Sequence, residues 1–200
     1  MFICNDQKFV FIHVPKCAGS SVHIFFKDMY WPEYSPERAD PLPLKHHMTY
    51  EQCIKENPEV ENYFSFTFVR NPWNRVVSSF NDFWIRERWN KETPKPFDVF
   101  VKERLPEILS NQPEDHTIHY FPASYFIEGV EFIGKVENFN EDWNSVMDTL
   151  LFEPDGWYRA IGRHRTSPRK KDYREYYDSD TKEIVKQLYA EDIERFNYEY

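Results

Sequence analysis

The stretch KFVFIHVPKCAGSSVHIFFKDMY, residues 8 to 30, does most to limit how this chain can fold. Its opening run, KFVFIHV, reads as a buried strand, and Val22, Phe25, Phe26 and Met29 recur at helical spacing further on. Between them lies a loop of small residues that holds one lysine, Lys16, with Gly19 and two hydroxyls, Ser20 and Ser21. A strand, a short loop and a helix in this order make a cradle for an anion, because the loop amides and the helix N-terminus point at one spot.

Composition limits which anion. The formal net charge of −9 argues against a general nucleic-acid binder, whose affinity would rest on a basic surface. A polyanion must therefore meet a local basic cluster, and RHRTSPRKKDYR, residues 163 to 174, carries six Lys and Arg side chains against Asp172 alone. Taken alone, the run reads more readily as a solvated face, and its weight as an anion site rises only with other anion-binding pieces beside it. With 200 residues, 40% of them hydrophobic, and no linker or repeat, one domain over 1–200 is expected. Cys4, Cys17 and Cys53 are odd in number and widely spaced, which suits free thiols in a reducing compartment. No leading signal segment and no run of about 18 apolar residues is present, so a cytoplasmic chain without membrane insertion is expected.

A second stretch, YFSFTFVRNPWNRVVSSF, residues 63 to 80, repeats the strand-to-helix pattern. Phe64, Phe66 and Phe68 alternate with smaller residues as a strand does. Asn71 is placed to cap and Pro72 to take the first helical position, and Trp73, Val76, Val77 and Phe80 form an apolar stripe. Arg70 then stands at the carboxyl end of a strand, and Ser78 nearly two turns into the next helix. Ligands of open parallel sheets bind at strand carboxyl ends, so Lys16 and Arg70 are expected to serve two anionic groups of one ligand.

Further along, EFIGKV reads as a strand near residues 130 to 136. A helix follows, with Asn140 as cap, Glu141 and Asp142 in its first turn, and Trp143, Val146, Met147, Leu150 and Leu151 as its stripe. Glu137 ends that strand and suits either a ligand-side role or a structural ion pair. Residues 179 to 196 carry Ile184, Val185, Leu188 and Ile193 at broadly helical spacing. His116 and His119 lie three apart in HTIHYFP, but no cysteine or carboxylate spacing completes a zinc set, and no metal is expected.

The pair HVPKCAGSS and FVRNPWNRVVSSF resembles the double signature of the sulfotransferases that use 3′-phosphoadenosine 5′-phosphosulfate, above all the carbohydrate sulfotransferase branch. HHMTYEQC, HYFP, FIGKVENFNEDW and the closing YREYYDSDTKEIVKQLYAEDIERFNYEY extend the resemblance over nearly the whole chain. It implies that Lys16, with Cys17, Ala18, Gly19, Ser20 and Ser21, receives the 5′-phosphosulfate, and that Arg70 and Ser78 hold the 3′-phosphate. It also implies that Ser167, Arg169, Lys170, Lys171 and Tyr173 contact or close over the nucleotide. Cys17 departs from the family, where threonine or another small residue is usual. A guanidinium fork suits a terminal phosphate and a lysine suits a point of growing charge, so residue chemistry and family agree.

Sulfuryl transfer, like phosphoryl transfer, moves a loosely bound charged group in line between two oxygens, and a base must take the acceptor's proton. In LKHHMTYEQC the family's lysine-histidine-x-threonine pattern aligns on His47, with His46 next to it; the same residues could simply start a helix near Thr49. His119 matches the family's H-x-x-P element and reads as an acceptor-side residue or a satisfied core histidine. The expected fold is α/β: a three-layer sandwich with a central parallel sheet of four or five strands, like the P-loop NTPase-like sulfotransferase fold. The expected reaction transfers a sulfuryl group to a hydroxyl of a sugar or glycoconjugate acceptor, which Trp31, Trp84, Trp89 or Trp157 could stack against. Two alternatives stand beside it. A P-loop-type nucleotide kinase is disfavoured because Lys16 precedes Gly19 and G-x-x-x-x-G-K-[ST] is absent. A non-catalytic relative that binds the donor or its desulfated product is the other.

Overall fold

The computed structural model of the chain describes residues 1–30, 47–84, 96–114, 117–151, 161 and 171–200. Internal contacts divide it into two compact units, Met1–Val69 with Tyr125–Arg165, and Arg70–Ser124 with Thr166–Tyr200.

The first unit holds a four-stranded sheet in the order β1 (Phe2–Cys4), β2 (Phe9–Phe11), β3 (Phe64–Val69), β4 (Phe132–Lys135). β2, β3 and β4 are parallel neighbours. β1 pairs antiparallel with β2, with Phe2 opposite Phe11. The sheet is therefore mixed, which corrects the expectation of a parallel one. The cause is local: residues 5 to 8 join the two strands, Lys8 turns with φ 51°, and so short a connection can only produce a hairpin.

Strand alternation puts Phe9, Phe11, Phe64, Phe66 and Phe68 on one face, where helices α1 (Gly19–Tyr30) and α6 (Phe139–Thr149) meet them. Phe26 of α1 packs 4.7 Å from Phe9, measured between ring centroids. Trp143 of α6 lies 5.0 Å from Phe25 and stacks on Phe139. Gly134 sits opposite Phe68 in the ladder because a Cβ there would stand 2.6 Å from the Phe68 ring.

α6 differs in detail from its sequence reading. Its cap position is Asn138, reached through a 3-10 turn over Val136–Asn138. Asn140 is inside the helix. Asp142 reaches back to accept from the Lys135 amide at 2.5 Å, tying the first turn to the end of β4. Leu151 leaves the stripe: it turns out of the helix with φ 58° and is 89% exposed. The unit also holds α2 (Tyr50–Glu56), capped by a reciprocal Thr49–Gln52 box.

The second unit is helical. α3 (Pro72–Ser79) starts as the sequence predicts: the Asn71 side chain accepts from the Asn74 amide, and Pro72 takes the first turn. Trp73, Val76, Val77 and Phe80 are all buried. α4 (Phe97–Val99) and α5 (Leu105–Leu109) flank a π-helical stretch, Phe100–Arg104. The closing segment breaks into α7 (Ser179–Leu188) and α8 (Ala190–Arg195) at Tyr189, where one helix was expected. Its buried stripe is Thr181, Val185, Tyr189, Asp192 and Phe196, while Ile184, Leu188 and Ile193 are only half-buried.

That stripe fastens the segment His119–Ser124 by side-chain bonds to its backbone. Asp192, 1% exposed, accepts from the amides of Ala123 (2.6 Å) and Ser124 (2.8 Å). Tyr189 donates to the Tyr120 carbonyl, Arg75 to Phe121 and Ser79 to His119. Arg75 is as buried as Asp192, lies 4.0 Å from it, and faces the Tyr189 ring.

Candidate functional site

In the first unit the loop after β2 adopts a conformation that ordinary side chains resist. Lys16 and Ala18 have φ of 64° and 62°, in the left-handed region, although neither is glycine. Such backbone is uncommon and costs of order 1–3 kcal/mol per residue, so it persists only where the surroundings enforce it. Successive amides in right- and left-handed alternation form a concave nest for an anion. The Ala18 carbonyl accepts from Ser21 (2.9 Å) and Val22 (3.3 Å), which opens α1. The amides of Gly19 and Ser20 then begin the helix with no carbonyl four residues back inside it. α1 carries no acidic residue in its first turn, so nothing there opposes an anion.

Lys16, Ala18 and Ser20 are half-buried, and Ser21 is buried. Cys17 points inward at 1% exposure and its amide bonds to Val14 at 3.4 Å. Its thiol is core, which explains how cysteine stands in for a small residue here without changing the loop's outer surface.

His47 stands against this loop. Its Nδ1 lies 3.1 Å from the carbonyl oxygen of His13, and the two imidazoles meet edge to face with centroids 4.7 Å apart. A carbonyl only accepts, so Nδ1 donates and the neutral ring carries its lone pair on Nε2. Thr49, two residues on, caps α2. The helix-start and base readings of this stretch are therefore compatible, because different residues serve them. His23 is unsuited to proton transfer near neutrality: burial, helped by neighbouring positive charge including Lys27, lowers its pKa to about 4.

In the second unit Arg70 directly follows β3 and donates from Nη2 to Asn74 Oδ1 at 3.1 Å. Asn74 and Ser78 are four residues apart on one face of α3, and Ser78 is buried. His119 occupies a 3-10 turn, Thr117–Tyr120, held through its carbonyl by Ser79. Tyr173 is buried against Tyr200, under the Arg174 guanidinium. Lys171 donates to the Glu175 carbonyl and lies over the Tyr176 ring. Glu137 is exposed in the turn after β4.

His46, His116, Ser167, Arg169, Lys170, Trp31, Trp89, Trp157 and the Trp84 side chain lie outside the described residues. Among the described residues no cluster of three or more His, Cys, Asp or Glu could hold a metal ion. None of the described helices is long and apolar enough to cross a membrane. Sequence reasoning passed over His13 as the end of a strand; the only trace of its contacts is a glycine six positions later at the helix start.

The profile of a family described as the Sulfotransferase family matches residues 1–199. Comparison with curated protein sequences and with solved structures gives no match.

Proposed function

The chain belongs to the sulfotransferase family, whose members are enzymes that take their sulfuryl group from 3′-phosphoadenosine 5′-phosphosulfate. From that premise we propose that it transfers this group to a hydroxyl of a sugar or glycoconjugate acceptor. The observation that carries the reading is the loop itself: two non-glycine residues held left-handed, a lysine among them, at the start of a helix and beside a histidine whose Nε2 bears the lone pair.

Lys16, with the amides of Ala18, Gly19 and Ser20 and the Ser20 and Ser21 hydroxyls, takes the 5′-phosphosulfate. Cys17 contributes backbone only. Arg70 and Ser78 take the 3′-phosphate, as the family pattern implies, and a guanidinium fork suits a terminal phosphate. Ser167, Arg169, Lys170 and Tyr173 border the nucleotide. His47 Nε2 removes the acceptor's hydroxyl proton as the oxygen's electron pair forms the new S–O bond, with His46 as the alternative base. The old S–O bond breaks with its electrons going to the phosphate, where Lys16 offsets the growing charge. No metal takes part in this reading.

The test uses ³⁵S-labelled donor, a panel of glycan acceptors, and binding of adenosine 3′,5′-bisphosphate to wild type and Arg70→Ala. Label transfer that Lys16→Ala and His47→Gln abolish, with bisphosphate binding that Arg70→Ala weakens, is the expected result. Bisphosphate binding without transfer to any hydroxyl would point to a non-catalytic relative, and absence of binding by the wild type would sink the donor site.

A further inference from the structure

We propose that His13 is a positioning residue that locks the anion loop and His47 to each other; this rests on the donor and base assignments above. His13 leaves β2 and is 8% exposed. Its ring lies directly on Gly19: a Cβ at that glycine would fall 1.9 Å from Cδ2 and 2.0 Å from Nε2 of the imidazole. Real Cβ atoms do not approach other atoms so closely, so the ring occupies the space that any other residue at the first position of α1 would need. Gly19 follows Ala18, whose left-handed φ shapes the nest.

The other side of His13 faces the candidate base. Its carbonyl takes the Nδ1 proton of His47, and its ring meets the His47 ring at 63°. One residue thereby sets both the floor of the loop, through its imidazole, and the tautomer and direction of the base, through its carbonyl and ring edge. Such contacts matter because misplacing a reacting group by about 1 Å can cost about 100-fold in rate. Gly19 is required here by a neighbouring side chain, which makes the requirement removable: with the His13 ring gone, an alanine at 19 has room.

The experiment compares wild type, Gly19→Ala, His13→Ala and the double variant in three measurements. These are ligand-free thermal unfolding, binding of adenosine 3′,5′-bisphosphate, and the ¹⁵N imidazole spectrum of His47. Gly19→Ala is expected to lower the unfolding temperature, to weaken bisphosphate binding by about tenfold or more through strain in the loop, and to shift His47 away from the Nδ1–H tautomer seen in wild type. His13→Ala added to Gly19→Ala should restore folding, most of the binding and the Nδ1–H tautomer of His47, because alanine keeps the carbonyl at position 13 that accepts that proton. A Gly19→Ala protein that does not fold, with a double variant that does, supports the lock equally. A double variant as impaired as Gly19→Ala overturns it, as does a wild-type His47 with its proton on Nε2. Failure of the wild type to bind the bisphosphate overturns the donor reading and the positioning role with it, while the ligand-free unfolding still reports separately whether His13 and Gly19 clash.

Discussion

Replacing Asp192 by alanine should be among the most destabilising single changes in the second unit. Its two carboxylate oxygens each accept one backbone amide, from Ala123 at 2.6 Å and Ser124 at 2.8 Å, at 1% exposure. Hydrogen bonds to a charged group contribute about 1.5–3 kcal/mol each. Alanine also strands two buried amides and leaves the Arg75 guanidinium, 4.0 Å away and equally buried, without its counter-charge. These terms overlap, so the expected loss is about 4 kcal/mol rather than their sum. Arg75→Met keeps both amide bonds to Asp192 but forfeits the bond to the Phe121 carbonyl, and about 3 kcal/mol is expected. The double variant should cost less than the two singles together by at least about 1 kcal/mol, because the stranded charge disappears with Arg75. Urea unfolding of the four proteins, with denaturant slopes compared, measures each term. An Asp192→Ala loss under about 1 kcal/mol, or singles that add within about 0.5 kcal/mol, would refute the clamp.

Three further perturbations test other parts of the fold. His23 has its pKa lowered to about 4 in the folded chain, so its contribution is fully present above about 6.5 and is lost as pH falls through that window. It is half-buried, and after solvent screening about 1–2 kcal/mol is expected, seen as a shallower pH dependence of stability between pH 6.5 and 4 in His23→Gln. Asn71→Ala removes both the cap bond to Asn74 and a 2.7 Å bond to the Glu199 carbonyl, and should lower stability by about 1–2 kcal/mol in denaturant titration. Gly134→Ala drives a methyl into the Phe68 ring, and a loss of about 1–3 kcal/mol in thermal unfolding is expected.

Much of the candidate site could be read from local chemistry. Asn71 and Pro72 start α3 because a side-chain cap and a fixed φ act within one turn, whatever surrounds them. The strand, loop and helix around Lys16 announce themselves through periodicity and small residues, which again need only near neighbours. Less legible was the turn into α6, where Asn138 and Asn140 are equally plausible caps in a sequence and the Asp142 bond to the Lys135 amide selects the earlier start. The antiparallel β1 was missed because its three residues carry too little pattern to distinguish a strand from a strand's approach.

The sequence by itself determined the elements that short-range physics decides: the apolar strands, the amphipathic stripes, the α3 cap, and a lysine in a small-residue loop ahead of a helix. Tertiary structure decided what depends on residues far apart in the chain. Asp192 looks like one more carboxylate on an acidic helix until its oxygens meet amides 68 and 69 residues earlier. Gly19 looks like loop flexibility until the His13 ring is found in the space of its absent side chain. A histidine 34 positions from its partner carbonyl acquires a defined tautomer only once the fold supplies that acceptor. Burial and long-range hydrogen bonding assign these roles, and neither leaves a periodic mark in the order of residues.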